Sequence, residues 1–229
     1  MGSIVSDAYS AVLFDLDGTL VDTAPDMVAV LQSLQEDRGV EPVTYELGRS
    51  YVSNGAIGLL RLGFPDVGDE AIESLRLAFL ERYADQVCER SIVFPGLGML
   101  LEHLQEIGRP WGVVTNKPES LTQPLLEALD LAQHAACCVS GDTLPQRKPD
   151  PAPLKHACEL AGIKAASTLY VGDSSRDIEA GRAAGMATIA AAYGYITADD
   201  DAASWGADAI ATDTQELAHI VLKAVNLDT

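Results

Sequence analysis

The feature that most constrains this chain is a short apolar run, AVLF at residues 11–14, that ends in two aspartates and a glycine. A run of bulky apolar residues bounded by a turn signal is typical of a strand that is covered on both faces, as in a parallel sheet. Ligands of such sheets bind beyond the carboxyl ends of the strands. Asp15 and Asp17 follow this end, and because the chain bends there, both can reach one ligand while Leu16 packs away.

Two carboxylates this close indicate a hard cation, and Mg²⁺ is typically held by one or two carboxylates together with a substrate phosphate. A calcium-binding loop is excluded, because it needs Gly at its sixth position and Glu at its twelfth. Counted from Asp15, these positions hold Leu20 and Asp26. A β-hairpin turn at Asp17-Gly18 stays open as an alternative, although no alternating partner strand follows it.

The rest of the chain alternates apolar runs with helical patterns, apart from one long stretch. Further strands are predicted at residues 111–114, 136–140, 168–172, 187–192 and 209–211. Only helical signals occur between the first strand and residue 91, so we predict a doubly wound, Rossmann-like α/β core with a parallel sheet, formed by residues 1–20 and 92–229. Residues 21–91 are then an inserted all-helical domain. The first helix after this insertion is expected to turn four apolar residues to the core: Met99, Leu100, Leu104 and Ile107.

Two of the predicted strands also end in polar residues. Thr115 and Asn116 follow the second strand of the core, and Asp173 follows the fourth, with Asp177 four residues later. The first and fourth strands must be neighbours if Asp15 and Asp173 are to meet, and a doubly wound sheet permits this. Taken alone, Thr115 is explained equally by a helix cap, and Asp177 by a first-turn acid without chemistry.

Lys148 lies in a proline-punctuated segment, RKPDP at residues 147–151, between the third strand and a predicted helix. The usual interpretation of any single lysine is a surface residue without function. The confined position between a loop and a helix start favours a role at the site instead. Arg147 beside it is expected to face solvent.

Four segments resemble motifs of the haloacid dehalogenase-like phosphohydrolases. They are FDLDGTLVDT at residues 14–23, WGVVTNKP at 111–118, KPDP at 148–151 and GDSSRD at 172–177. The resemblance implies a phosphatase in which Asp15 attacks phosphorus to form an aspartyl-phosphate, while Asp17 protonates the leaving alkoxide and later activates water. Dehalogenases of this fold lack the second acid, so Asp17 argues against carbon–halogen cleavage.

The same resemblance assigns further roles. It implies Mg²⁺ held by Asp15, Asp17 and Asp173, with Asp177 orienting Lys148 or metal-bound water. It also implies a phosphate-binding set that consists of Thr115, Asn116, Lys148 and Gly18. The inserted domain is expected to act as a cap that closes over the site and selects the substrate, and its candidate residues are Arg49, Ser53, Asn54 and Gly55. The alternative interpretation of these four is a helix end followed by an Asn-Gly turn.

Chain length and the helical insertion resemble the phosphoglycolate phosphatase group of this family. The segments at residues 111–118 and 193–208 resemble bacterial N-acetylmuramic acid 6-phosphate phosphatases. We therefore expect a small phosphate ester as substrate, with N-acetylmuramic acid 6-phosphate first and 2-phosphoglycolate as the alternative. Two other classes are a phosphomutase of the same fold and a catalytically silent binding protein. The intact set of Asp15, Asp17, Lys148 and Asp173 argues against the silent protein.

Charge narrows the range of partners. The formal net charge of −19 argues against nucleic acid and anionic membranes, because both attract basic patches. An anionic substrate must then find positive charge locally, from metal, lysine or helix N-termini. No apolar run approaches the roughly 20 residues that span a bilayer, and the four cysteines show no Cys-x-x-Cys spacing. We expect a cytoplasmic enzyme with reduced thiols, either a monomer or a homodimer.

Overall fold

The computed structural model describes Ile4 and residues 9–225, so the outer ends of the predicted core domain lie outside the described residues. The described strands are β1 (Ala11–Phe14), β2 (Val21–Asp22), β3 (Ile92–Val93), β4 (Trp111–Val114), β5 (Cys138–Val139), β6 (Thr168–Gly172), β7 (Ala187–Ala191) and β8 (Ala209–Ala211). The described helices are α1 (Ala24–Glu36), α2 (Tyr45–Ser50), α3 (Gly55–Gly63), α4 (Asp69–Ala84), α5 (Leu97–Glu106), α6 (Glu119–Ala128), α7 (Ala152–Ala161), α8 (Ser175–Ala184) and α9 (Thr214–Val225).

Six strands form one parallel sheet in the order β5-β4-β1-β6-β7-β8. Strand β1 lies at its centre, with Phe14 in register with Val113 of β4 and Val171 of β6. Every residue of β1, β4 and β6 is buried, which is why their sequences are continuously apolar rather than alternating. The predicted α/β class and the predicted adjacency of the first and fourth core strands are therefore confirmed.

Helices cover both faces of the sheet. Successive strand residues point to opposite sides, so the apolar residues of one strand contact helices on both faces. Val12 and Phe14 pack in one cluster, whose other members include residues of α5, α6 and α9. Leu13 packs in a second cluster with residues of α7 and α8, among them Leu154 and Ala180. Full burial of one such leucine is worth roughly 1.5–3 kcal/mol. The sheet is thus held rigid from both sides, and its carboxyl edge is a firm support for a site.

The helices α1 to α4 form an insertion between β2 and β3, which pair antiparallel and lie outside the main sheet. The strand that follows the glycine therefore does pair, but with a segment some 70 residues later rather than with a local hairpin partner. Asp26 ties the two ends of the insertion together. Its carboxylate accepts hydrogen bonds from the backbone amides of Arg90 and Ser91, the latter at 2.8 Å, and from the Ser91 hydroxyl at 2.6 Å.

The apolar side of α5 differs from the predicted one. The buried residues are Leu97, Leu100, Leu101 and Leu104, whereas Met99 is 71% exposed and Ile107 is 37% exposed. The helix begins at Leu97, so the positions three, four and seven residues later share its buried face, and Met99 lies off that face. No helix in the described part of the chain is long and apolar enough to cross a membrane.

Candidate active site

The carboxyl ends of three neighbouring strands place the predicted polar residues side by side. Asp15 follows β1, Thr115 follows β4 and Asp173 follows β6. The backbone amide of Asp15 continues the sheet pairing, since it donates to the Val171 carbonyl at 2.8 Å. Adjacent parallel strands end at the same edge of a sheet, so residues that are far apart in the sequence meet there.

An acidic cluster occupies this edge. One carboxylate oxygen from each of Asp15, Asp173 and Asp177 lies within 4.8 Å of the others. Asp177 is the third residue of α8 and forms a capping box with Ser174, which confirms its predicted place in the first helical turn. Asp173 and Asp177 are each only 1% exposed. Asp177 is therefore more than a surface first-turn acid.

Lys148 is the cationic partner of this cluster, and its side chain is only 3% exposed. Its ammonium lies 2.8 Å from Asp15 Oδ1 and 2.7 Å from Asp177 Oδ1. It also donates to the Tyr170 hydroxyl and the Val114 carbonyl, both at 2.8 Å. The interpretation of Lys148 as an ordinary surface residue is wrong, because a buried lysine with these partners is fixed in the site.

The predicted phosphate-binding residues Thr115 and Asn116 lie beside Lys148, and both line the cavity described below. Thr115 is 3% exposed, and its Oγ1 accepts a hydrogen bond from the Lys117 amide at 3.2 Å. The Asn116 side chain donates to the Lys148 carbonyl and accepts from the Lys148 amide, both at 3.0 Å. Asn116 thus clamps the loop that carries Lys148, a function that its motif did not predict.

Burial perturbs the ionisation of the cluster. It raises the pKa of Asp15 to about 6, although the nearby Lys148 ammonium acts in the opposite direction. Burial and then the charge of Asp15 raise the pKa of Asp173 well above its usual value. Burial alone would lower the pKa of Lys148, but Asp15 and Asp177 raise it above the ordinary value. The raised pKa values mean that Asp15 and Asp173 bind protons more readily than ordinary aspartates unless further positive charge is supplied.

The donor set fits a divalent cation. Asp173 Oδ1 is buried and has no hydrogen-bond partner among the described residues, and Asp15 Oδ1 faces the Lys148 ammonium without an aligned hydrogen bond. Three acids share one ammonium, so negative charge is in excess. Carboxylate oxygens in such a cluster are what Mg²⁺ prefers. The carboxylate of Asp17, which the resemblance also assigned to the metal, is not in the group, and its Oδ1 accepts hydrogen bonds from Thr23 at 2.6 Å and from Lys117 at 2.9 Å.

We expect Mg²⁺ to raise the melting temperature by roughly 5–10 °C at about pH 7.5 when present at about 100 times its Kd. At about pH 5 the shift should fall to less than half, because the raised pKa values of Asp15 and Asp173 mean that the metal must displace protons. Differential scanning fluorimetry with and without EDTA measures both shifts, with NaCl at matched ionic strength as the control. Equal shifts at the two pH values would contradict binding at this cluster.

Gly18 lies so close to Asp173 that a larger residue would not fit at this position. Its φ of +79° lies in the left-handed region, and a Cβ added there would overlap the Asp173 Oδ2 atom. Its amide donates to the Val21 carbonyl at 3.0 Å, and Gly18 is not among the residues that line the cavity. The geometry thus explains the glycine by contact with Asp173, and its role in phosphate binding stays a prediction.

A cavity of about 330 Å³ opens above the cluster, between the sheet edge and the helical insertion. Three of the four predicted cap residues, Ser53, Asn54 and Gly55, line it. The Ser53 hydroxyl donates to Asp173 Oδ2 at 2.7 Å, so the insertion touches the acidic cluster directly. These residues occupy the end of a short 3-10 turn and the start of α3. They therefore lie at a helix end, as the alternative interpretation of their sequence expected, and also line the cavity.

Arg49 is the predicted cap residue that lies elsewhere. Its guanidinium donates to the carbonyls of Tyr193 and Gly194, both at 3.2 Å, and stacks 4.8 Å from the centre of the Tyr195 ring. It is absent from the lining of the cavity. The contacts of Arg49 fasten α2 to the segment after β7, because unpaired carbonyls at a strand end attract a cation.

The prediction from sequence missed several charged and aromatic residues that the structure places at the cavity. Lys117 and Tyr83 meet beside Asp17, and Arg76, Arg147 and Arg176 also line the cavity. Tyr83 belongs to the apolar pattern of α4, which predicts only burial. Lys117 follows Thr115 and Asn116, the two residues of its motif to which the resemblance assigned a role. Nothing in the sequence therefore marked either residue as part of the site. Arg147 is exposed, as expected, but it also lines the cavity.

Together these groups can bind and transfer a phosphoryl group. A buried carboxylate on a rigid strand end, a fixed ammonium beside it and a cavity above are what in-line attack on a phosphate ester needs. The fold and site are therefore those of a phosphoryl-transfer enzyme, with acids and an ammonium from separate segments of the chain meeting at one sheet edge.

Comparison with known proteins narrows this class. The family profile of the haloacid dehalogenase-like hydrolases matches residues 12–191. An N-acetylmuramic acid 6-phosphate phosphatase of Pseudomonas putida is 42% identical over 216 residues, covering 94% of this chain and 97% of that protein. A phosphoglycolate phosphatase of Xanthomonas campestris pv. campestris is 43% identical over 207 residues, covering 90% and 94%. The crystal structure of a predicted phosphoglycolate phosphatase from Haemophilus somnus has a TM-score of 0.82 at 29% identity, covering 93% and 98%.

The chain belongs to the haloacid dehalogenase-like hydrolases, and within them to the group that holds these two kinds of phosphatase. It is a phosphatase that acts on a small phosphorylated metabolite. The resemblance carried by its four motifs is confirmed.

Proposed function

We propose that the protein is a Mg²⁺-dependent phosphomonoesterase that hydrolyses N-acetylmuramic acid 6-phosphate through an aspartyl-phosphate on Asp15. One observation carries the chemical part: Asp15, Asp173, Asp177 and Lys148 form one cluster at the sheet edge, and Asp15, Asp177 and Lys148 of this cluster line the cavity. The proposal includes a cytoplasmic enzyme, a monomer or homodimer, whose residues 21–91 act as a cap domain over a diffusible ester.

The chain's own residues divide the reaction between them. Asp15 attacks phosphorus and the alkoxide leaves; Asp17 gives this alkoxide a proton and then takes one from the water that hydrolyses the aspartyl-phosphate. Lys148 and Thr115 stabilise the charge on the transferring oxygens. A bound Mg²⁺, held by Asp15 and Asp173, would neutralise charge on the phosphoryl group and the carboxylates. Asp177 holds the Lys148 ammonium in place at 2.7 Å.

The cavity supports a sugar phosphate. Its volume of about 330 Å³ lies at the lower end of the roughly 300–1,000 Å³ range that is typical of pockets for drug-sized ligands. A cavity of this size is larger than a two-carbon acid needs. Its insertion side offers apolar contacts from Val52, Ile57 and Phe79. Such a wall suits the methyl groups of an N-acetyl and a lactyl substituent.

The charge of the cavity supports a second anionic group on the substrate. Although the chain carries a net charge of −19, Arg147 and Arg176 lie in the lining together with the two lysines. Arg176 donates to the Ser53 carbonyl at 2.6 Å, whereas the side chain of Arg147 has no polar partner in the described part of the chain. A free guanidinium is a good carboxylate ligand. Both N-acetylmuramic acid 6-phosphate and 2-phosphoglycolate carry a carboxylate.

2-Phosphoglycolate is the second candidate, and the relative from Xanthomonas campestris favours it. A phosphomutase would differ by handing the phosphoryl group to a second hydroxyl instead of water. All three candidates share the chemistry at Asp15. The preferred ester distinguishes the two phosphatases from each other, and the acceptor of the phosphoryl group distinguishes a phosphatase from a phosphomutase.

The test is phosphate release with Mg²⁺ from N-acetylmuramic acid 6-phosphate, N-acetylglucosamine 6-phosphate and 2-phosphoglycolate. We expect kcat/KM for the muramic ester to exceed the other two about a hundredfold, which equals roughly 2.7 kcal/mol of transition-state binding. Arg147→Gln should lower the muramic value about tenfold and leave the glucosamine ester, which lacks the lactyl carboxylate, within twofold. Preference for 2-phosphoglycolate would overturn the substrate, and transfer to a sugar hydroxyl would overturn hydrolysis.

A further inference from the structure

A second buried lysine, Lys117, joins the core to the helical insertion at the edge of the cavity. Its side chain is 5% exposed, and Asp17 is its one carboxylate partner among the described residues, with Nζ and Oδ1 2.9 Å apart. The same ammonium donates to the Tyr83 hydroxyl of α4 at 2.9 Å and lies 4.5 Å from the centre of the Tyr83 ring. Lys117 therefore bonds at once to the predicted general acid and to the insertion.

The hydrogen bonds to Asp17 fix which of its oxygens is available. Lys117 and Thr23 both donate to Oδ1, at 2.9 and 2.6 Å. Oδ2 has no hydrogen-bond partner in the part of the chain that the structure describes, and Asp17 lines the cavity. One oxygen is thus held and the other is left to exchange a proton with a substrate.

Tyr83 makes this arrangement depend on the seating of α4. The side chain is 1% exposed and packs with Phe79, whose ring centre lies 6.2 Å away. If α4 moved away from the sheet edge, Lys117 would lose the hydroxyl and the aromatic face together. A desolvated ammonium with only one partner left is costly, so Lys117 and Asp17 would rearrange.

We propose that Lys117 and Tyr83 are positioning residues that aim Oδ2 of Asp17 at the leaving-group oxygen when α4 is seated on the core. The proposal rests on the proposed function in one respect only, the role of Asp17 as general acid. In the first step the bond from phosphorus to the ester oxygen breaks as the bond from Asp15 to phosphorus forms. The proton on Asp17 then goes to the ester oxygen, so that the alcohol leaves neutral.

The test compares esters that need this proton with one that does not. p-Nitrophenolate leaves as an anion, whereas the sugar alkoxides of N-acetylmuramic acid 6-phosphate and N-acetylglucosamine 6-phosphate require protonation. For Lys117→Met we expect kcat/KM to fall at least about 30-fold with both sugar esters and less than about threefold with p-nitrophenyl phosphate. Tyr83→Phe, which keeps the ring, should lower the sugar values about three- to tenfold and leave the aryl ester unchanged.

Lys155→Met is the matched control, because Lys155 is an exposed lysine on α7 that does not line the cavity. Its values should equal those of the wild type with all three esters. Three results would overturn the proposal: an equal loss with sugar and aryl esters, a loss confined to the carboxylate-bearing ester, or no loss. The first would mean that Lys117 only holds the insertion, and the second that it binds the substrate carboxylate. Each variant is compared with the wild type on each ester separately, so a wrong physiological substrate leaves this test intact.

Discussion

Replacing Asp15 by asparagine is expected to lower kcat for phosphate release by roughly 10⁴-fold or more with every ester, since removal of a catalytic nucleophile has effects of this order. Asparagine has nearly the same shape but no negative charge, so it cannot attack phosphorus. No other acid of the site is free to replace it, because Asp173 is engaged with Ser53, Asp177 with Lys148, and Asp17 with Lys117 and Thr23. Steady-state phosphate release with Mg²⁺ measures the effect.

Two controls make the Asp15→Asn result interpretable. Asp66→Asn removes an exposed carboxylate that does not line the cavity and should keep full activity. The melting temperature of Asp15→Asn without metal should stay close to that of the wild type or rise, because the change removes one of three buried acids that share one ammonium. A folded Asp15→Asn variant that retained more than about 1% of kcat would rule out Asp15 as the nucleophile.

Replacing Lys148 by methionine is expected to destabilise the protein as well as inactivate it. The change leaves Asp15 and Asp177 buried without their ammonium, and breaking a buried ion pair in this way costs about 3–5 kcal/mol. Phosphate release should fall at least about 10³-fold, because the charge that stabilises the transferring oxygens is lost. Urea unfolding in EDTA gives the free energy of unfolding.

The pH dependence of this loss identifies its cause. Even with Lys148 present, burial raises the pKa of Asp15 to about 6 in the folded protein, above its usual value of 3.8. Without the ammonium, the folded state binds protons more tightly still, so the stability of the variant rises as the pH falls, and this rise begins above about pH 6. The deficit relative to wild type should therefore be smaller at about pH 5 than at about pH 7.5. An equal deficit at both pH values, or the same deficit in Lys155→Met, would show lost packing rather than an unpaired charge.

The residues at the centre of the site could be predicted from the sequence, because the geometry of a parallel sheet brings the ends of its strands together. Asp15, Thr115 and Asp173 each follow an apolar run, and such runs in a parallel sheet end at one edge. Lys148 was predictable from its confinement between a loop and a helix start. The family motifs then supplied the roles that geometry alone leaves open.

The residues around the cavity could not be predicted in the same way. Whether a cap arginine faces substrate depends on the angle at which the insertion meets the core, and Arg49 instead meets carbonyls after β7. Tyr83 and Met99 both belong to helical apolar patterns, yet one is 1% exposed and the other 71%. A shift of one or two residues in where a helix begins decides such cases. The hydrogen bond between Lys117 and Tyr83 joins two segments that are far apart in the sequence, and no pattern in either segment predicts the contact.

The pairing of β2 with β3 has a consequence for how this enzyme can change over time. Val21 lies opposite Val93, and Asp22 opposite Ile92, so the chain leaves the core and returns to it at adjacent points. A segment whose ends are already held together can be exchanged for one of another length at little cost in closure entropy. Under the proposed function, the cap helices and the reactive acids are therefore separable stretches of the chain, and we expect a chimera that carries a relative's helices between these strands to change its substrate preference and to keep Asp15 as its nucleophile.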